Sequence, residues 1–68
     1  MKLINAEEGK SVEITLIGQV LTVRSFAGDV EMNGWNCDYA SAGFQPEYAH
    51  AAWAYEVDRY MRMGYTKN

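Results

Sequence analysis

Cysteine occurs once, at position 37, so the chain can close no disulfide on itself. Histidine also occurs once, at position 50. One Cys and one His cannot complete the four-ligand shell of a structural zinc, and no metal site is assigned. Basic charge is scarce. Six Lys and Arg against nine acids give a net charge of −3. That balance argues against direct nucleic-acid binding, which is driven by cationic side chains displacing counterions. It also falls short of the charge density of a protein that imitates DNA along its whole surface. No apolar run approaches the ~20 residues that cross a bilayer, so no membrane partner is expected. The opening MKLINAEEGK has only Leu3–Ile4 as an apolar pair and does not read as a signal peptide. The lone thiol suits a reducing cytoplasm, the expected location. Gly28, Gly34 and Gly43 stand singly, each with a turn to serve, so there is no glycine-rich phosphate loop and no cofactor is expected.

What remains is one domain over residues 1–68. A chain this short leaves much of its surface exposed and draws roughly 3–5 kcal/mol of stability from a single core. With disulfides and zinc excluded, an oligomer or a partner is the open route to further support.

The most readable stretch is Pro46–Met63, PEYAHAAWAYEVDRYMRM, which is predicted as a helix. The single proline suits the first helical position, where its missing N–H costs nothing. Glu47 lies in the first turn and Arg59 and Arg62 near the end, each complementing the helix dipole. Gly64 can take the left-handed position that closes a helix, with Tyr65 folding back on Tyr60. Gln45 is a weak cap. At 100° per residue, Ala49, His50, Trp53, Ala54, Val57, Tyr60 and Met61 gather on one face, read as core. Tyr48, Ala51, Ala52, Tyr55, Arg59, Arg62 and Met63 gather on the other. Glu56–Arg59 and Asp58–Arg62 can pair along the surface.

Ahead of the helix, the alternation of apolar and polar residues predicts two β-hairpins. In SVEITLIGQVLTVRSF (11–26), Gly18-Gln19 suits a type II′ turn. That loop places Leu16 opposite Leu21, Ile14 opposite Val23 and Val12 opposite Ser25 on one side. Ile17–Val20, Thr15–Thr22 and Glu13–Arg24 then meet on the other. A one-residue slip would lose every match. Ala27-Gly28-Asp29 turns the chain. In DVEMNGWNCDY (29–39), Asn33-Gly34 predicts a type I′ hairpin pairing Met32 with Trp35 and Val30 with Cys37. Lys2–Asn5 fits a short edge strand, and residues 40–45 link to the helix.

The expected fold is therefore α+β: an antiparallel β-meander of about four strands, with one C-terminal helix packed on one face and the other face bare. Its expected core is Val12, Ile14, Leu16, Leu21, Val23, Val30, Met32, Trp35, Cys37, Phe44, Trp53, Val57, Tyr60 and Met61.

Chemistry is sparse. Cys37 and His50 are the one pair that suggests nucleophilic catalysis, and this fold would place both near the sheet–helix interface. No third group and no oxyanion loop accompany them, so Cys37 reads as a small apolar residue and no catalytic residue is assigned. Asp29, Glu31 and Asp38 are expected on the bare sheet face. Hard oxygen ligands there could suit a divalent cation, but no acidic loop of recognisable spacing supports one. Acids on a surface also suit a basic partner. Five Tyr and two Trp are many for this length. Tyr, Met and Arg are enriched at protein interfaces, and Tyr48, Tyr55, Arg59, Arg62 and Met63 share the outer helix face.

In size, charge and missing chemistry the chain is similar to the small acidic proteins of bacteriophages and other mobile elements, which bind and block a host protein. That resemblance implies a non-enzymatic binding protein, an inhibitor or modulator of a protein partner. It would use the tyrosine face of the helix, helped by Asp29, Glu31 and Asp38. The alternative is a structural homodimer or larger homo-oligomer whose outer helix face is a self-interface.

Overall fold

Strand formation begins earlier in the chain than the hairpins. A computed structural model describes residues 1–68, and Lys2–Asn5 already forms β1. β2 (Lys10–Ile17), β3 (Val20–Ala27) and β4 (Val30–Asp38) follow, then α1 (Pro46–Arg62) and a short β5 (Thr66–Lys67). All pairings are antiparallel, and the sheet runs in the order β4-β3-β2-β1-β5. The α+β meander with one packed helix is thus the fold of this chain. No helix is long and apolar enough to cross a membrane.

The β2–β3 hairpin forms in the expected register. Leu16 pairs with Leu21, Ile14 with Val23, Val12 with Ser25, Thr15 with Thr22 and Glu13 with Arg24. Gly18 stands at φ 60°, the positive value its turn position demands.

The second hairpin does not form where Asn33-Gly34 placed it. The loop falls at Gly28-Asp29, with Gly28 at φ 61°, and β4 runs unbroken through Asn33-Gly34. Val23 then faces Trp35 and Leu21 faces Cys37 across the β3–β4 pair. Met32 and Trp35, expected opposite one another, lie along one strand. The reason is pairing of the backbone. A turn at 33–34 would have left β3 with an unpaired edge for most of its length, whereas an unbroken β4 pairs it from Val20 to Ala27. Gly34 lies outside the left-handed region, and its N–H donates to the Asn33 side-chain oxygen at 2.9 Å. One extra residue is absorbed as a bulge, because Ser25 pairs with Asn33 and Phe26 with Glu31, leaving Met32 over.

The core lies between α1 and the strands β1–β3: Leu3, Val12, Ile14, Leu21, Val23, Val57 and Tyr65, with Leu16, Tyr39, Ala52, Trp53 and Tyr60 packed against it. Val30, Met32, Trp35, Phe44 and Met61, expected inside, are exposed. Val30, Met32 and Trp35 are exposed because β4 is the edge strand and α1 packs on β2 and β3. Leu3 and Tyr65 take the vacated core places. Tyr65 is fixed by the helix end: its N–H donates to Tyr60 O, and that of Gly64 to Met61 O, at 3.1 Å each. This Schellman closure, with Gly64 at φ 100°, swings the Tyr65 ring edge-on to Tyr60 at 5.2 Å.

Candidate protein-binding groove

The helix sits rotated from the face that periodicity assigns. Its sheet-facing stripe is Ala49, Ala52, Trp53, Glu56, Val57 and Tyr60, while His50, Ala54 and Met61 are exposed. Trp53 sets the rotation. Its indole N–H donates to Ile14 O at 3.2 Å, anchoring the middle of α1 over β2. Burying Ala52 and Glu56 brings the neighbouring side of the helix, which carries Tyr48 and Tyr55, toward the β4 side of the sheet. The two tyrosines therefore do not point away from the sheet. They form one wall of a groove.

That groove is lined by Leu21, Tyr39, Tyr48, Ala51, Ala52, Tyr55 and Glu56 and holds about 330 Å³. Phe44 closes one end of it, stacked on Tyr48 at 4.3 Å and edge-on to Tyr39 at 5.7 Å. Burial and the adjacent Cys37 thiol push the Tyr39 phenol above its ordinary pKa, so it stays neutral across the physiological range. Toward β4 the groove opens on to a shelf without a roof, because the register puts Trp35 and Cys37 on the helix side of the sheet, beyond the helix. Trp35 is 40% exposed and Tyr55 64%. Small residues at 51 and 52 keep the helix wall low, and aromatic rings supply the rest.

The remaining expected site residues scatter. Arg59 pairs with Glu56 at 2.8 Å and lies 4.8 Å from the Tyr60 ring centroid, at the same end of α1 as Arg62. Arg62 pairs with Asp58 at 2.7 Å. Both ion pairs are those the spacing predicts. Met63 is half-exposed at the helix end. The three acids expected together on the bare face are not together. Asp29 lies in the β3–β4 loop, Glu31 near the start of β4 and Asp38 at its end, ~23 Å apart for the last two at strand rise. Glu31 is occupied by Arg24 at 2.7 Å. Asp38 accepts from the Ser41 hydroxyl at 2.9 Å and from its N–H, which hold the carboxyl below its ordinary pKa. No three His, Cys, Asp or Glu side chains converge as a ligand set.

Cys37 and His50 are separated as well. His50 lines a different groove, on the opposite flank of α1 along the end of β2, with Met1, Ile14, Leu16 and Trp53. Cys37 sits on β4, two strand spacings away, or about 10 Å across the sheet. Reading the residues alone missed Tyr39 as a groove residue and took the exposed Trp35 for core. The signal available was position: a strand with a turn before it and a linker after it can be an edge, and an edge residue need not be covered.

No protein family, curated protein or solved structure matches this chain.

Proposed function

We propose that this is a non-enzymatic binding protein that docks a protein partner in the α1–β4 groove. By occupying a site on that partner it acts as an inhibitor or modulator, in the manner of the small acidic proteins of phages and mobile elements. The observation that carries this reading is the groove itself. Tyr39, Tyr48 and Tyr55 line one open concavity, and Trp35 is exposed on the uncovered strand beside it. Aromatic residues in such a setting supply large contact area at low entropic cost, and anchors of this type dominate binding energy. The helix side of that groove is supplied by Tyr48 and Tyr55. Arg59 and Arg62 stand near the helix end, and the dispersed acids contribute field rather than a patch. A second reading, a homodimer through the outer helix face, draws on the exposure of Tyr55, Met61 and Met63.

The test is capture of a partner from bacterial lysate by the wild type and by a Tyr48→Ala/Tyr55→Ala variant. Both side chains are more than half exposed, so the variant keeps the fold. Capture should fall at least ~10-fold, the effect of losing about 1.4 kcal/mol of contact. Undiminished capture by a folded variant removes the groove from the account.

A further inference from the structure

The free edge of β4 has a definite hydrogen-bonding window. The Tyr39 N–H donates to Gln19 O at 3.0 Å, so position 39 faces the β3 side of the sheet. Strand alternation then turns the N–H and C=O of Cys37 and Trp35 toward β3, and those of Asp38, Asn36 and Gly34 outward. Two outward groups are already used. The Gly34 N–H donates to the Asn33 side chain at 2.9 Å, and Asp38 O accepts from the Ala42 N–H at 3.3 Å. Gly34 O, both groups of Asn36 and the Asp38 N–H remain without a partner. They form one antiparallel pairing site and half of the next on either side, bracketed at both ends by the two occupied groups.

Charge says what kind of strand fits. From Ser25 to Asp58 there is no Lys or Arg, while Asp29, Glu31, Asp38, Glu47, Glu56 and Asp58 are all acidic. Glu31, Glu56 and Asp58 have arginine partners; Asp29, Asp38 and Glu47 have no cation. The edge is therefore bordered by uncompensated negative charge. A second copy would bring the same acids to the same edge, which is unfavourable, whereas a basic segment is attracted to it.

Resting on the reading of this side as a docking surface, we propose that the partner binds as an extended basic segment adding a sixth strand to β4 over Gly34–Asp38. Its backbone pairs with Asn36. Its residues opposite Cys37 and Trp35 are apolar and lie on the helix-side shelf, and its residue opposite Asp38 is Lys or Arg. The preferred pattern, read along the partner, is basic–apolar–any–apolar. This is strand addition: main-chain bonds hold the segment and alternate side chains select it.

The test is NMR titration of the full chain with the peptide acetyl-Lys-Val-Thr-Val-Thr-amide. The Asn36 and Asp38 amides and the Trp35 indole should shift together. N-methylating the central Thr removes the N–H that would meet Asn36 O, and exchanging Lys for Glu reverses the charge. Each should weaken binding tenfold or more. On the protein side, Asn36→Pro deletes an outward N–H while leaving every bond to β3, a change edge strands tolerate. It should abolish the titration and reduce capture of the partner. Equal binding of the N-methylated peptide overturns strand addition, as does the absence of any shift on β4. Partner capture that is sensitive to Tyr48→Ala/Tyr55→Ala but not to Asn36→Pro also overturns strand addition, yet leaves groove docking standing. Sedimentation as a dimer that Asn36→Pro converts to monomer would place a second copy on the edge and overturn the assignment to a basic partner.

Discussion

At the scale of single residues, Tyr65 shows how one helix-closing glycine fixes a buried ring. Tyr65 lies in a polar stretch after the helix, yet it is 9% exposed and closes the core beneath Tyr60. Gly64 puts it there, because only a left-handed residue lets the chain reverse beneath the helix end. Replacing Tyr65 with Ala removes a buried ring and should cost about 3 kcal/mol. Against a total of roughly 3–5 kcal/mol, that leaves a large unfolded fraction at 25 °C. Tyr65→Phe should stay within about 0.5 kcal/mol, since the phenol oxygen makes no hydrogen bond within the protein. Urea unfolding of the two variants separates the ring from the hydroxyl. If both cost the same, the burial account of Tyr65 is wrong. Leu3 differs from its expected place on a short edge strand: it is fully buried because β1 lies between β2 and β5 and is not an edge.

Among the elements, the β3–β4 connection shows tertiary context overriding a strong local signal. Asn33-Gly34 favours a type I′ turn, and a turn was expected there as well as at Gly28-Asp29, five residues earlier. Only the turn at Gly28-Asp29 forms, because that lets one long strand satisfy the whole edge of β3. The choice can be measured. Gly28→Ala forces an alanine to φ 61° and should cost about 1 kcal/mol, although nothing lies within 4 Å of its Cβ. Gly34→Ala needs no unusual backbone. Its new Cβ meets Glu31 Oε2 at 3.2 Å, the end of a flexible side chain. It should cost no more than about 0.5 kcal/mol. Thermal or urea midpoints that rank the two the other way would return the turn to Asn33-Gly34. The same unbroken β4 explains the groove. One helix cannot cover five strands, and anchoring by Trp53 over β2 leaves β4 without a roof.

On the scale of the whole molecule, size and charge set the behaviour. The chain has one small core, a radius of gyration of 12.4 Å and a net charge of −3. Its exposed aromatics lie mostly on one side, and the proposed role needs them free to meet a partner. A monomeric binding protein should therefore melt at a temperature independent of its concentration between about 1 and 100 μM. A homodimer through the outer helix face should melt higher as concentration rises, and scanning calorimetry across that range decides between the two readings. Added salt should weaken partner binding while leaving folding nearly untouched, because the surface ion pairs such as Arg62–Asp58 are each worth under about 1 kcal/mol.

The sequence by itself determined what is local. Period-two alternation with Gly18-Gln19 specified the β2–β3 hairpin to the residue, since any slip exchanges its two faces. Pro46, Glu47, Arg59, Arg62 and Gly64 specified α1 to within one residue, its end falling at Arg62 and not Met63, and its two surface ion pairs, since these depend on neighbours three or four residues away. Tyr48 and Tyr55 were marked as available for contact by their place off the core stripe. What the tertiary structure decided was everything that depends on which element covers which. It made β4 one unbroken edge strand, because pairing the backbone of β3 outweighed a turn preference. It left Trp35 exposed, because the helix reaches only as far as its anchor on Ile14 allows. It drew the two tyrosines from the far face into a groove wall and parted Cys37 from His50, because a rotation of the helix about its axis is fixed by packing and leaves no mark on its periodicity.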